Sequence, residues 1–234
     1  MRVVVTWAGG KESCIAYQKA VAQGHQVAYL LSFVYKKPYI YHDFKVMEAQ
    51  AKAIGVPQLK VKIKNDKDVL NAFTHIKKEK GIEGIVSGDI ADAGCVQIHR
   101  AYYEEMCQRV GLSLIMPIEN PSKNTYDVLK EEVDVGIKAV MTCINLDYMG
   151  EEWSGRVLDV ESIKDLKALA DKHGVDVAGD DGKSYHTIVT DAPFFNSKIE
   201  ITKSKNKVMK EVSMAGKATW LLMDIKKVAL RPKQ

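Results

Sequence analysis

Gly9-Gly10-Lys11-Glu12-Ser13 follows the apolar, β-branched run Val3-Val4-Val5, and a helical pattern begins directly after it. A strand, a tight turn and a helix start, in that order, present backbone N–H groups and the positive end of a helix dipole to an anion. Gly9 and Gly10 permit close backbone approach and positive φ. Lys11 adds a full positive charge, Ser13 a hydroxyl, and Ala8 leads into the turn. These are the parts of a phosphate-binding loop. The spacing is neither G-x-x-x-x-G-K-[ST] nor G-x-G-x-x-G. On these residues alone, a structural Gly-Gly turn with a solvated Lys11 remains the plain alternative. Gly88-Asp89 is the second candidate, because it follows an apolar run that reads as a strand. Asp89 is either a carboxylate beside the loop or the N-cap of the next helix.

The elements that must position these residues alternate. Arg2–Trp7, Gln26–Phe33, Leu59–Ile63, Gly84–Ser87 and Leu114–Met116 read as strands. Glu12–Gln23, Asp43–Ile54, Asp66–Lys80 and Val96–Val110 read as helices, each with a glycine just beyond its end. Repeated β-α units require a parallel sheet with right-handed crossovers and helices on both faces. Ligands of such sheets bind beyond the carboxyl ends of the strands, where the loop after the first strand and the segment after the fourth both fall. The polar stretch Asn120–Asn124 marks a boundary, giving a nucleotide-type half over 1–120 and a second half over 121–234. The second half predicts helices over Tyr126–Val135 and Val160–His173, with strands over Ala139–Ile144, Thr187–Thr190, Ile199–Thr202 and Thr219–Ala229, an α+β pattern.

Composition narrows the class. The 234 residues are 46% hydrophobic and 27% charged, ordinary for a globular chain, and the net charge of +4 does not argue for a nucleic-acid surface. Lysines gather around Lys60–Lys80 and Lys203–Lys210, runs that read as solvated faces, so nucleic acid is not an expected partner. No stretch has the length of a membrane span, and no signal peptide is recognised. Cys14, Cys95, Cys107 and Cys143 form no C-x-x-C pair, against a zinc site or a disulfide framework, so a reducing cytoplasm is expected. A homodimer is compatible with the sequence.

With these residues in place, a family resemblance emerges. The loop resembles the S-G-G-K-D-S loop of the PP-loop ATP pyrophosphatases, which implies a HUP-type, Rossmann-like nucleotide-binding fold. Further segments are similar to the diphthine–ammonia ligase family: S-G-D-I at Ser87–Ile90 with Arg100, Cys107 and Gly111–Leu112; His42 and the following V-M-E-A-Q-A-K-A-I-G-V-P; W-S-G-R-V-L-D at Trp153–Asp159; and H-T-I-V-T-D-A-P-F-F at His186–Phe195. They run in the family's order over about residues 1–200. Ala8 stands where the family loop has serine, Glu12 where it has aspartate, and Pro117-Ile118-Glu119 where it has Pro-Leu-Trp. The acidic G-E-G-G-E loop is replaced by Gly179–Tyr185, which is one residue longer and lacks the last glutamate.

The resemblance implies a chemistry. A carboxylate does not react with ammonia at neutral pH, because oxide is an impossible leaving group. Adenylation by ATP solves this: pyrophosphate departs, and the acyl-adenylate then loses AMP to ammonia. ATP and Mg²⁺ are the implied cofactors, diphthine on elongation factor 2 the implied acceptor, and ammonium the second substrate. Lys11, Ser13 and Asp89 are the candidate catalytic residues. Ala8, Gly9, Gly10, Glu12, His42 and Gly88 join them around the nucleotide, with Glu12 or Asp89 toward the metal. Arg156, Asp181, His186 and Asp191 form the implied acceptor wall. Lys11→Ala is expected to abolish AMP formation in a folded protein. Another adenylated acceptor, such as a small-molecule acid or a tRNA base, or an ATP- or AMP-binding sensor without turnover, stays open.

Overall fold

The computed structural model describes residues 1–35, 43–90, 96–118, 124–179, 184–213 and 216–233; for 96–99, 211–213 and 216 it describes the backbone alone. The first half is a five-stranded parallel sheet: β1 (Arg2–Thr6), β2 (Gln26–Tyr35), β3 (Gln58–Ile63), β4 (Gly84–Val86) and β5 (Ser113–Ile115), in the order β3-β2-β1-β4-β5. Helices α1 (Lys11–Ala22), α2 (Phe44–Ile54), α3 (Asp66–Lys80) and α4 (Val96–Val110) connect the strands. The predicted α/β class and Rossmann-like parallel sheet are what the chain forms.

The period of two along β1 decides the layering. Val3, Val4 and Val5 are all fully buried. Val3 and Val5 enter one core with Ile15 and Ala20 of α1 and Met47 and Ile54 of α2. Val4 enters the other, with Val69, Phe73 and Ile76 of α3 and Met106 and Cys107 of α4. A central strand covered on both faces has no solvent side, so it reads as an unbroken apolar run. Cys107, one of the family-like positions, is thus a packing residue. Burial pushes its thiol up to about 12. Cys107 is expected to resist iodoacetamide in the native chain and to be alkylated only on unfolding, as read by mass spectrometry of the modified peptide.

The second half contains α5 (Thr125–Asp134), α6 (Val160–His173) and an antiparallel sheet of β6 (Lys138–Asn145), β7 (Tyr185–Asp191), β8 (Ser197–Ser213) and β9 (Gly216–Pro232), ordered β7-β6-β9-β8. The α+β character stands as expected. Asn124 and Asp159 cap α5 and α6 through reciprocal side-chain and backbone hydrogen bonds. Trp153 and Phe195 are buried, and Phe194 stacks on Tyr17 of α1. The strand expected over Ile199–Thr202 is much longer: β8 and β9 form one hairpin of 17 residues a side. Its polar, lysine-rich stretch lacks the apolar alternation of a half-buried strand, because β8 lies at the sheet edge and packs little there.

One hydrophobic core joins the two sheets, running from Val5 and Trp7 to Val189, Ile199 and Leu221. Among the described residues, no helix is long and apolar enough to cross a membrane.

Candidate nucleotide and phosphate site

The strand order reverses between β1 and β4, and the crevice opens at their carboxyl ends. A cavity of about 570 Å³ lies there. Its floor is the end of β1 at Thr6, the loop and first turn of α1 that follow, with Ala8, Gly10, Glu12 and Ser13, and the turn after β4, with Ser87, Gly88 and Asp89. Phe33, Tyr35, Ile63–Asp66, Tyr102 and Tyr103 close the other end. The volume falls within the range of about 300–1,000 Å³ usual for small-molecule sites.

Gly10 is the N-cap of α1, and no side chain caps that helix end. Of its first-turn N–H groups, that of Lys11 meets the Thr187 hydroxyl at 3.4 Å, and none is taken by an N-cap side chain, the arrangement an anion-binding helix start requires. The Ser13 hydroxyl meanwhile donates to the Gly10 carbonyl at 3.0 Å. Two glycines are sterically required. Gly9 has φ 81°, and a Cβ there would lie 2.7 Å from Gln50 Oε1. A Cβ on Gly88 would lie 2.8 Å from the Glu12 carbonyl oxygen and 3.0 Å from the Ser13 nitrogen, so the β4 turn lies flat against the first turn of α1. Asp89 lines the cavity, and its Oδ2 accepts from the Ser87 hydroxyl at 2.6 Å. Tyr102 donates to Asp66 Oδ1 at 3.1 Å across the far end.

Lys11 turns the other way. Its side chain is 1% exposed and ion-paired with Glu12. Glu132 of α5, 2% exposed, lies 3.8 Å away, and the Tyr185 ring of β7 is 5.8 Å from the ammonium. The cation is thus sandwiched behind the loop, between the two halves, and is absent from the described cavity lining. The Glu132 charge is felt nearby: burial first, and then Glu132, raise the Cys14 thiol well above its ordinary value.

Gln50 of α2 was not singled out from the sequence, and it holds the loop. It is fully buried, accepts from Trp7 Nε1 at 2.9 Å, and donates to the carbonyls of Gly9 and Val189, both at 2.8 Å. The Val189 N–H also donates to the Gly9 carbonyl at 2.9 Å, and the Lys11 N–H to Thr187 Oγ1 at 3.4 Å. Strand β7 of the second half is therefore the backing of the loop. Gln50 lies inside the family-like helix segment, but a lone glutamine on an amphipathic helix gives no signal of its own. Gln50→Leu is expected to lower stability by about 3 kcal/mol, at about 1–3 kcal/mol for each group left without a partner. Chemical denaturation with unchanged m checks it.

The residues expected to form an acceptor wall have separate partners. Arg156 binds Asp165 at 2.5 Å and lies 4.3 Å over the Trp153 ring. His186 stacks on Trp220 at 5.6 Å, and Asp191 pairs with Lys233 at 2.8 Å. Arg100, from the family-like α4 segment, bonds Glu104 one turn on. His42 and Asp181 lie outside the described residues.

ATP and Mg²⁺ fit what is present. The start of α1, with no N-cap side chain at Gly10, and the β4 turn that Gly88 lets close on it suit phosphates. Glu12 and Asp89 supply carboxylates of the kind Mg²⁺ takes alongside phosphate oxygens. Among the described residues, no group of three or more His, Cys, Asp or Glu forms a protein-only metal cage.

Residues 1–114 match the family model described as Diphthamide synthase N-terminal domain, and residues 124–230 match Diphthamide synthase C-terminal domain. The curated relatives include the diphthine–ammonia ligases of Mus musculus, 25% identical, and Homo sapiens, 26% identical; each alignment covers 88% of this chain and 84% of the relative. That of Danio rerio is 24% identical over 92% of both chains. A solved structure titled as a predicted subunit of tRNA methyltransferase from Methanocaldococcus jannaschii superposes with TM-score 0.44 at 13% identity, covering 82% of this chain and 98% of that one.

Proposed function

Because the chain belongs to the diphthamide synthase family, matched by both of that family's domain models, we propose that it is an ATP-dependent, AMP-forming ligase whose acceptor is the carboxylate of diphthine on elongation factor 2 and whose nitrogen donor is ammonium. The observation that carries the nucleotide half of this reading is the uncapped start of α1, facing a cavity at the sheet's switch point and pressed against Gly88.

In this reading the N–H groups of the first turn of α1 and the Ser13 hydroxyl hold the β and γ phosphates, where charge develops as pyrophosphate departs. Ala8 and Gly10 line the cavity, while Gly9 and Gly88 let the loop close on Gln50 and the β4 turn close on α1. Glu12 and Asp89 would hold Mg²⁺, which supplies charge neutralisation on the phosphates when bound. Lys11 acts from behind the loop, fixing the start of α1 against the second half. His42 belongs to the nucleotide cleft, and Arg156, Asp181, His186 and Asp191 to the acceptor side, by family resemblance. The domain division near residue 120 separates the two roles, and a cytoplasmic location agrees with the acceptor.

A different acceptor, such as a small-molecule acid or a tRNA base, or a nucleotide sensor without turnover, is the second reading, and the observation that favours it is the replacement of the family's acidic loop by Gly179–Tyr185. AMP and pyrophosphate release from Mg-ATP, with and without diphthine-bearing elongation factor 2 and ammonium, decides between them. Acceptor-dependent AMP, with the mass change of replacing a hydroxyl by an amino group in the factor, is the expected result. ATP binding with no dependence on that acceptor moves the function to another acceptor or to a nucleotide sensor.

A further inference from the structure

The charge of this chain is unevenly placed. The β8–β9 hairpin, residues 197–232, holds nine basic and three acidic side chains, a net of +6, so the remainder of a +4 chain carries −2. We propose that this hairpin is a docking ribbon for the phosphate backbone of duplex RNA, separate from the nucleotide cavity and independent of the ligase reading.

Four observations converge. First, β8 is the edge strand, and Lys203, Lys205 and Lys207 stand exposed along it. Alternate residues of a strand share a face about 6.8 Å apart, so Lys205 and Lys207 form a regular row; Lys203 precedes it at a point where the pairing register shifts. A phosphodiester backbone also carries charge at regular intervals, whereas the carboxylates of an acidic protein surface do not. Second, few of these cations are neutralised. Arg231 pairs with Glu200 and Lys226 with Asp224. Among the described residues, Asp224, opposite Lys205 in the ladder and also influenced by Lys207, is the one acidic group set against the row, and no ion pair forms at Lys203 or Lys227. Third, the ribbon has no stacking platform. Trp220 is the single aromatic residue between 197 and 232, and it is 5% exposed. Unpaired bases are bound by stacking on exposed aromatics, so the nucleic acid that fits is a duplex, held by its backbone. Fourth, the outer edge of β8 offers strand backbone donors and acceptors beside the lysines. The 2′-hydroxyl is both donor and acceptor and is displayed in the wide minor groove of A-form RNA. Lysines act as point charges without base geometry, so binding is independent of sequence.

Lysine on an edge strand also deters strand-to-strand aggregation. That role needs charge of either sign, whereas the docking role needs positive charge, and this difference provides the test. The full chain is titrated into a fluorescein-labelled RNA duplex of about 16 base pairs, with a DNA duplex of equal length and labelled polyglutamate in parallel arms. Binding to the RNA duplex is expected to weaken about 10²-fold between about 50 and about 200 mM salt, as for three or four neutralised phosphates. Lys203→Glu/Lys205→Glu/Lys207→Glu is expected to weaken it at least tenfold. Lys203→Gln/Lys205→Gln/Lys207→Gln, which removes charge without inverting it, is expected to fall between the two, and both variants should melt with the parent. No RNA binding at low salt, binding unmoved by the triple variants, equal binding of the DNA duplex, or tighter binding of polyglutamate would each overturn the proposal.

Discussion

Lys11→Met is expected to destabilise the chain by about 3–5 kcal/mol, because it removes a buried cation from between the carboxylates of Glu12 and Glu132. Truncating one member of a buried ion pair costs far more than replacing both, since the survivor keeps its desolvation penalty and loses its compensation. Lys11→Met/Glu132→Gln is therefore expected to recover most of the loss. A double-mutant cycle by chemical denaturation measures the coupling directly. If the single and double variants lose the same stability, the contact between the ammonium and Glu132 contributes nothing. The same cycle decides how a Lys11 substitution is read in an activity assay. Lost turnover in Lys11→Ala reports phosphate contact only if the variant is as stable as the parent, and the burial of Lys11 argues that it is not. Turnover retained by the stable double variant would assign Lys11 to the backing of the loop and the catalysis to the backbone groups and Ser13.

Gly88→Ala should reduce nucleotide-dependent turnover by about 10²-fold, the usual cost of a misplacement near 1 Å in a preorganised site. The added Cβ would meet the Glu12 carbonyl and the Ser13 nitrogen at 2.8 and 3.0 Å, both backbone atoms of the helix start. Neither can rotate away, so the β4 turn must withdraw from α1, taking Asp89 with it. The effect on stability is smaller, about 1–3 kcal/mol, the usual cost of overpacking. Calorimetry with Mg-ATP beside a thermal melt separates the two effects. A variant that binds nucleotide like the parent would show that the contact between the β4 turn and α1 does not shape the site.

Much of this was legible in the sequence because it is local. The Val3-Val4-Val5 run, the double glycine and the helix that follows specify a strand, a turn and an uncapped helix start within a dozen residues. The β-α alternation specifies the parallel sheet, and the sheet specifies where a ligand goes. Hydrophobic period even separates the two helical layers, since Val4 and its neighbours on β1 must face opposite ways.

What tertiary structure alone decided is which way Lys11 points and what stands behind the loop. Gln50 reaches Gly9 across 41 positions and Val189 across 139, and Thr187 meets the Lys11 N–H across 176. No spacing rule connects such residues; they meet because β7 docks on the helix α1 side of the first sheet. A lysine beside two glycines reads as a phosphate ligand from local sequence; in the fold its ammonium is buried beside Glu12 of the same loop and Glu132 of α5. The docking of α5 adds the second, long-range carboxylate and buries the ammonium between the two. The placing of +6 on one hairpin follows from the same distinction. Composition counts charges, and only strand pairing showed that β8 and β9 carry them together along one edge of the molecule.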